Sequence, residues 1–221
     1  MTLLNKVSGP HHGQPLITDG ESLDTAQAAM IMVHGRGASA ADIISLSEFF
    51  DVPGFAYLAP QAAGYTWYPY SFLSPIERNE PYLSSALEVV ATVLNRVNKA
   101  GIPTEKTILL GFSQGACLST EFAARNPRRY GGLAILSGGL IGPEETVFAY
   151  DGSLAETPVF LGCSDVDFHI PQERVQETTR ILRGMGADVT ERLYPGMGHT
   201  INQDEIDFVI EMMSNLTGSR G

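Results

Sequence analysis

The chain has 221 residues, of which 43% are apolar and 18% charged, with 23 glycines and 13 prolines; that is a globular composition, and the chain is long enough to bury a large core. The formal net charge of -11 argues against non-specific nucleic-acid binding, which needs a basic face, and fits a solvated acidic surface. The two cysteines, Cys117 and Cys163, sit in no metal-type cluster and are expected to be free thiols in a reducing compartment.

The N-terminus, MTLLNKVSGPHHG, has no apolar core long enough for a signal peptide. No apolar run approaches the roughly 20 residues of a membrane helix. A soluble, cytoplasmic protein without membrane insertion is expected. In chain order, Leu16–Ile17 marks an antiparallel edge strand. Ala28–Val33 (AAMIMV) is a nearly continuous apolar strand ending at His34-Gly35. Residues 40–50 read as a helix, and 55–59 as a second strand stopped by Pro60. A long loop, 60–79, is rich in Pro, Gly and Tyr. Leu83, Leu87, Val90, Leu94 and Val97 share one face of a helix over 83–100, which Gly101 ends. Thr107–Phe112 is a strand and 113–125 a helix, stopped near Pro127. Strands follow at Gly132–Leu136 and 159–162, then a helix at 172–183, a strand at 189–194 and an amphipathic helix at 205–216.

Buried strands alternating with helices imply βαβ units. The expected fold is α/β: a mostly parallel central sheet with helices on both faces. No linker divides the chain, so residues 1–221 are expected to form one domain with a core over about 26–217. Long loops fall at 60–79 and about 138–157, and functional groups should collect beyond the C-terminal strand ends.

Gly111-Phe112-Ser113-Gln114-Gly115 lies between a strand and a helix. The pattern G-x-S-x-G there is the nucleophile elbow, a turn too tight for side chains on either flank, which holds the Ser113 hydroxyl clear of the sheet. The plainer alternative is a Gly-Ser turn with Ser113 as a helix cap. Three features favour chemistry. His199, in the Gly-rich loop after the last strand, stands where a base for the serine must be; His34, after the first strand of the sheet, is the next candidate. Asp165 and Asp167 follow the 159–162 strand, giving the chain order Ser, Asp, His. Backbone N–H groups of Gln114 and Arg36, the latter in the turn His34-Gly35-Arg36-Gly37, would form an oxyanion hole. No His/Asp cluster has metal-ligand spacing, and neither metal nor cofactor is expected.

Together these motifs resemble the phospholipase/carboxylesterase family of α/β-hydrolases, which includes acyl-protein thioesterases and small bacterial carboxylesterases. The resemblance runs from about Ala29 to Leu216 and rests on HGRG, APQAAGYTWYP, GFSQG, the acid loop ending in Ile170-Pro171, and YPGMGH. It implies a serine esterase without a separate cap domain, with nucleophile Ser113, base His199 and oxyanion donors Arg36 and Gln114. The acid loop departs from the family pattern: counting forward from Gly162 selects Asp165, and counting back from Pro171 selects Asp167. Asp167 is preferred because Pro171 should start a helix and fix the carboxylate relative to it. The family tends to have a hydrophobic residue at Arg36, which is expected here to pair with an acid rather than project into the pocket.

Tyr65, Trp67, Tyr68, Tyr70 and Phe72 cluster in the 60–79 loop and suggest a pocket wall, at least half of them packing the loop down. Trp67 is placed near the acyl or alcohol group. The expected substrate is a small or flexible carboxylic ester or thioester, cleaved through an acyl-enzyme. A lysophospholipase or lactone hydrolase would use the same triad, and a non-catalytic binding protein on a hydrolase fold is the reading from another class. Oligomeric state is open, a homodimer being one option.

Overall fold

The computed structural model describes residues 2–218. Eight strands form one sheet: β1 (Thr2–Leu3), β2 (Pro15–Gly20), β3 (Ala28–Val33), β4 (Phe55–Pro60), β5 (Thr107–Phe112), β6 (Gly132–Leu136), β7 (Pro158–Ser164) and β8 (Asp188–Tyr194). Their spatial order is β1-β2-β4-β3-β5-β6-β7-β8. From β4 through β8 all neighbours are parallel. The antiparallel strand expected around Leu16–Ile17 is β2, which pairs with β4, while the two-residue β1 forms the outer edge.

All six residues of β3 are buried, as a parallel strand covered on both faces requires. Its side chains alternate. Ala29, Ile31 and Val33 join one core with residues of helices α3 (Tyr82–Lys99), α4 (Gln114–Arg125) and α5 (Gln172–Gly184), whereas Ala28, Met30 and Met32 join a second core with residues of α1 (Ala40–Ile44) and α6 (Gln203–Thr217). The apolar spacing of α3 explains its position: Leu83, Ala86, Val89, Val90, Val93, Leu94 and Val97 are all buried.

Two connections differ from the sequence expectation. The helix predicted over 40–50 is α only through Ile44 and tightens to a 3-10 turn over Ser45–Phe49. A capping box between Ser39 and Asp42 starts it. The loop 60–79 contains a 3-10 turn, Ala63–Tyr65, and a short helix, α2 (Ile76–Asn79), placed between β4 and α3 in the chain. The other long connection, 138–157, carries no helix or strand.

The parallel run β3-β5-β6-β7-β8 points one set of strand ends the same way. The turn 34–37, Ser113, the acid loop and the His199 loop therefore emerge along one edge of the sheet. Among the described residues, no helix is long and apolar enough to cross a membrane.

Candidate active site

Ser113 stands between β5 and α4 with φ 54° and ψ -118°, a strained backbone for a residue with a Cβ. Sterics explain the flanking glycines. A Cβ on Gly111 would lie 2.6 Å from the Ala116 nitrogen, and one on Gly115 would lie 2.6 Å from the His34 carbonyl oxygen. The chain therefore turns against its own next residues and against the end of β3. The Ser113 N–H donates to Leu136 O at 2.9 Å, and its carbonyl accepts from Cys117 N at 3.0 Å; these bonds hold the strained turn.

Ser113 Oγ lies 2.8 Å from His199 Nε2, and His199 Nδ1 lies 2.6 Å from Asp167 Oδ2. A carboxylate can only accept, so Nδ1 carries the imidazole proton and Nε2 is left to accept from the serine hydroxyl. The Asp167 side chain is fully buried and that of His199 is 17% exposed. The other oxygen of Asp167 accepts from the N–H groups of His169 (2.8 Å) and Ile170 (3.2 Å). Pro171 caps α5 immediately beyond. Asp165 points elsewhere: its Oδ1 accepts from Gly196 N at 2.8 Å. Ser164 Oγ accepts from Gly198 N at 3.2 Å. These two bonds tie the His199 loop to the end of β7.

A cavity of about 490 Å³ opens beside Ser113, lined among others by Arg36, Tyr68, Tyr70, Phe72, Phe112 and Cys117. The Cys117 thiol is buried and its pKa is pushed up to about 12 by that burial, so it contributes an apolar wall rather than a thiolate. Cys163 is also a buried free thiol, its Sγ 3.9 Å from Asp167 Oδ2.

Trp67 does not stand in the cavity wall, contrary to the sequence expectation. Its side chain is fully buried, the indole N–H donates to His34 O at 2.8 Å, and the ring packs between His11 and His34 at 5.4 and 4.9 Å. A buried indole must satisfy its N–H, and that need turns the ring away from the pocket. Of the aromatic cluster, Tyr68, Tyr70 and Phe72 line the cavity, and Tyr65 is 57% exposed.

His34, the alternative base, is also fully buried. Its Nε2 accepts from Ala62 N at 3.1 Å, so Nδ1 donates to Gly35 O at 2.8 Å. Burial holds its pKa below the usual histidine value. Both ring nitrogens serve the backbone, which leaves none for Ser113.

Among the described residues, Arg36 pairs with no acid. Its guanidinium donates to the carbonyls of Tyr68, Pro69 and Tyr70 at 3.0, 2.9 and 2.6 Å. Gln114, the first residue of α4, has no carbonyl four residues back within the helix for its N–H.

Sequence reasoning passed over His169. It lines the cavity, and its ring meets His199 edge-on at 4.9 Å and Phe168 at 4.2 Å. Its place two residues after Asp167 was the available signal.

The sequence model of the phospholipase/carboxylesterase family matches residues 20–217. Acyl-protein thioesterase 1 of Candida albicans is 27% identical over 216 residues, covering 87% of this chain and 93% of that protein. The crystal structure of a phospholipase/carboxylesterase from Dyadobacter fermentans superposes with a TM-score of 0.88 at 45% identity, over 91% of this chain and 97% of that one. Esterase PE8 shares the fold, with a TM-score of 0.74 at 24% identity over 92% of this chain and 98% of its own.

Proposed function

The chain belongs to the phospholipase/carboxylesterase family, a family of serine esterases, and from that premise we propose that it hydrolyses small or flexible carboxylic esters and thioesters through an acyl-enzyme on Ser113. The observation that carries the reading is the hydrogen-bonded chain Ser113 Oγ to His199 Nε2 (2.8 Å) and His199 Nδ1 to Asp167 Oδ2 (2.6 Å), on the rim of an apolar cavity.

His199 takes the hydroxyl proton as Ser113 Oγ attacks the substrate carbonyl, and returns it to the leaving alcohol or thiol. Asp167 holds the imidazole tautomer and stabilises the imidazolium. The backbone N–H groups of Gln114 and Arg36 receive the negative charge on the carbonyl oxygen, at the N-terminal end of α4, where the helix dipole favours an anion. Water, activated by the same histidine, then releases the acid. The aromatic and thiol lining of the cavity gives an acyl group an apolar surface, and its open mouth admits varied leaving groups. Thioesters fall within the range because the Candida albicans relative is named an acyl-protein thioesterase.

Ser113→Ala tests the reading. Loss of a triad nucleophile costs ~10⁶ in turnover, so hydrolysis of an activated ester should fall by several orders of magnitude with the fold intact. A fluorophosphonate probe should label the wild-type protein at Ser113. Retention of more than about a tenth of the activity would remove Ser113 from the mechanism.

A further inference from the structure

The side chains of Arg36 and Gln114 converge on one backbone carbonyl. Gln114 Nε2 donates to the Tyr68 carbonyl at 2.8 Å, and its Oε1 accepts from Trp67 N at 2.8 Å and Thr66 Oγ1 at 3.2 Å. Arg36 Nη2 donates to the same Tyr68 carbonyl at 3.0 Å and to Tyr70 O at 2.6 Å, while Nη1 donates to Pro69 O at 2.9 Å. One peptide oxygen is thus shared by the two residues whose N–H groups would form the oxyanion hole, with Thr66 Oγ1 also within reach of it at 3.1 Å. Residues 68–70 also supply three side chains of the cavity wall.

We propose that Arg36 and Gln114 are positioning residues as well as backbone donors. Their side chains clasp residues 66–70 from two sides, and through the Tyr68 carbonyl they set the spacing between the two N–H groups that receive the oxyanion. The inference rests on the acyl-enzyme reading given above. The pairing of Val33 with Gly111 and the Trp67 indole bond to His34 O hold the end of β3 beside the elbow; beyond it, Arg36 is held through the same carbonyl that Gln114 grips. Gly37 has φ +78° with nothing within 4 Å of a Cβ built there, and its N–H bond to Tyr65 O (2.8 Å) ties the turn to the 60–79 loop.

The side-chain chemistry suits the task. A guanidinium is a planar fork whose N–H groups reach several acceptors at once, whereas a lysine ammonium is a point donor on a flexible stem. Among the described residues no carboxylate lies within ion-pair distance of Arg36, so its charge is balanced by the three carbonyl dipoles alone. The two N–H groups act on the substrate oxygen once it gains negative charge, so their spacing matters more to the transition state than to the neutral ester. The expected effect is therefore mainly on kcat. Misplacing a reacting group by about 1 Å costs ~10²-fold.

The test is a mutant cycle on an activated ester. Arg36→Ala and Gln114→Ala should each lower kcat by roughly 10- to 100-fold, with a smaller change in KM. The double variant should lose much less than the product of the two, because both side chains act through one carbonyl. Guanidinium chloride, added far below denaturing concentration, should restore part of kcat to Arg36→Ala, and sodium chloride at the same strength should not. Arg36→Lys keeps charge and stem, so it guards against a fold defect; it should still lose several-fold in kcat. Full kcat in Arg36→Lys, independent losses in the cycle, or no guanidinium rescue of a folded Arg36→Ala protein overturns the clasp. A wild-type protein that neither hydrolyses esters nor takes the fluorophosphonate label overturns the parent reading instead.

Discussion

Asp167→Asn is the sharpest probe of the proposed chemistry, because the structure dictates how the new amide must lie. Asp167 Oδ1 accepts two backbone N–H bonds, from His169 and Ile170, and its side chain is fully buried. An asparagine that turned its NH₂ toward them would oppose donors to donors and strand both, at ~1–3 kcal/mol each. The amide oxygen must therefore stay on that side, and the NH₂ must face His199 Nδ1. A donor there forces Nδ1 to accept and moves the imidazole proton to Nε2, the atom that faces Ser113 Oγ at 2.8 Å. The base then has no lone pair for the hydroxyl proton, and the imidazolium loses its counter-charge. The expected loss in kcat is ~10⁴, about 5.4 kcal/mol of transition-state stabilisation. Asp165→Asn makes the contrast. Its carbonyl can still accept the Gly196 N–H bond, and a net cost of ~1 kcal/mol is about fivefold. Both variants are to be assayed on one activated ester, with thermal melts to show that each is folded. A folded Asp167→Asn protein with more than about a tenth of wild-type kcat, or an Asp165→Asn protein as crippled as expected for Asp167→Asn, refutes the reasoning.

Gly115→Ala should destabilise by more than about 3 kcal/mol or fail to fold, since its Cβ meets only backbone atoms that cannot yield; Gly37→Ala, strained but unobstructed, should cost only ~1 kcal/mol by denaturant titration. Equal stability in the two variants would contradict the steric account of the elbow. The histidines predict acid sensitivity: burial holds the folded-state pKa values of His11 and His34 below the ordinary histidine value, so the unfolded chain binds protons first, and the stability they contribute is present above pH ~6.5 and is lost as pH falls through the folded values. The urea midpoint, read from the fluorescence of the single tryptophan, Trp67, should fall between pH 7 and pH 5, and a flat midpoint would show that neither histidine needs its neutral form.

The legible parts of the chain were those where residue type and backbone geometry are bound together by sterics. Six consecutive apolar residues that stop at His34-Gly35 are short enough to fit a strand covered on both faces, and β3 is one. The elbow could be read from its glycines, because any Cβ on Gly111 or Gly115 collides with peptide atoms. The candidate acid was harder, since two carboxylates of the same type lie two residues apart, and only the direction of the loop separates them. Asp167 faces inward because its second oxygen is needed by two N–H groups that precede α5, whereas Asp165 is drawn to the His199 loop.

What escaped the sequence was every interaction whose partner is a peptide group. A carbonyl carries no residue-type signal, so nothing in HGRG announces that Arg36 will seek three of them rather than an acid. The same holds for the N-terminal segment. His11 lies ahead of residues 20–217, which the family model covers, yet its Nδ1 accepts from Ala63 N at 3.1 Å and its Nε2 donates to Trp67 O at 2.9 Å. Those bonds, with the ring contact at 5.4 Å, fix one side of Trp67 while His34 fixes the other. The tryptophan is thereby removed from the cavity it was expected to line, and its backbone N–H is left for Gln114. A segment distant in sequence from the candidate nucleophile thus anchors the loop that the clasp grips. The aromatic pattern of that loop could reveal a wall, but which ring faces the substrate depended on two buried imidazoles whose partners are backbone groups.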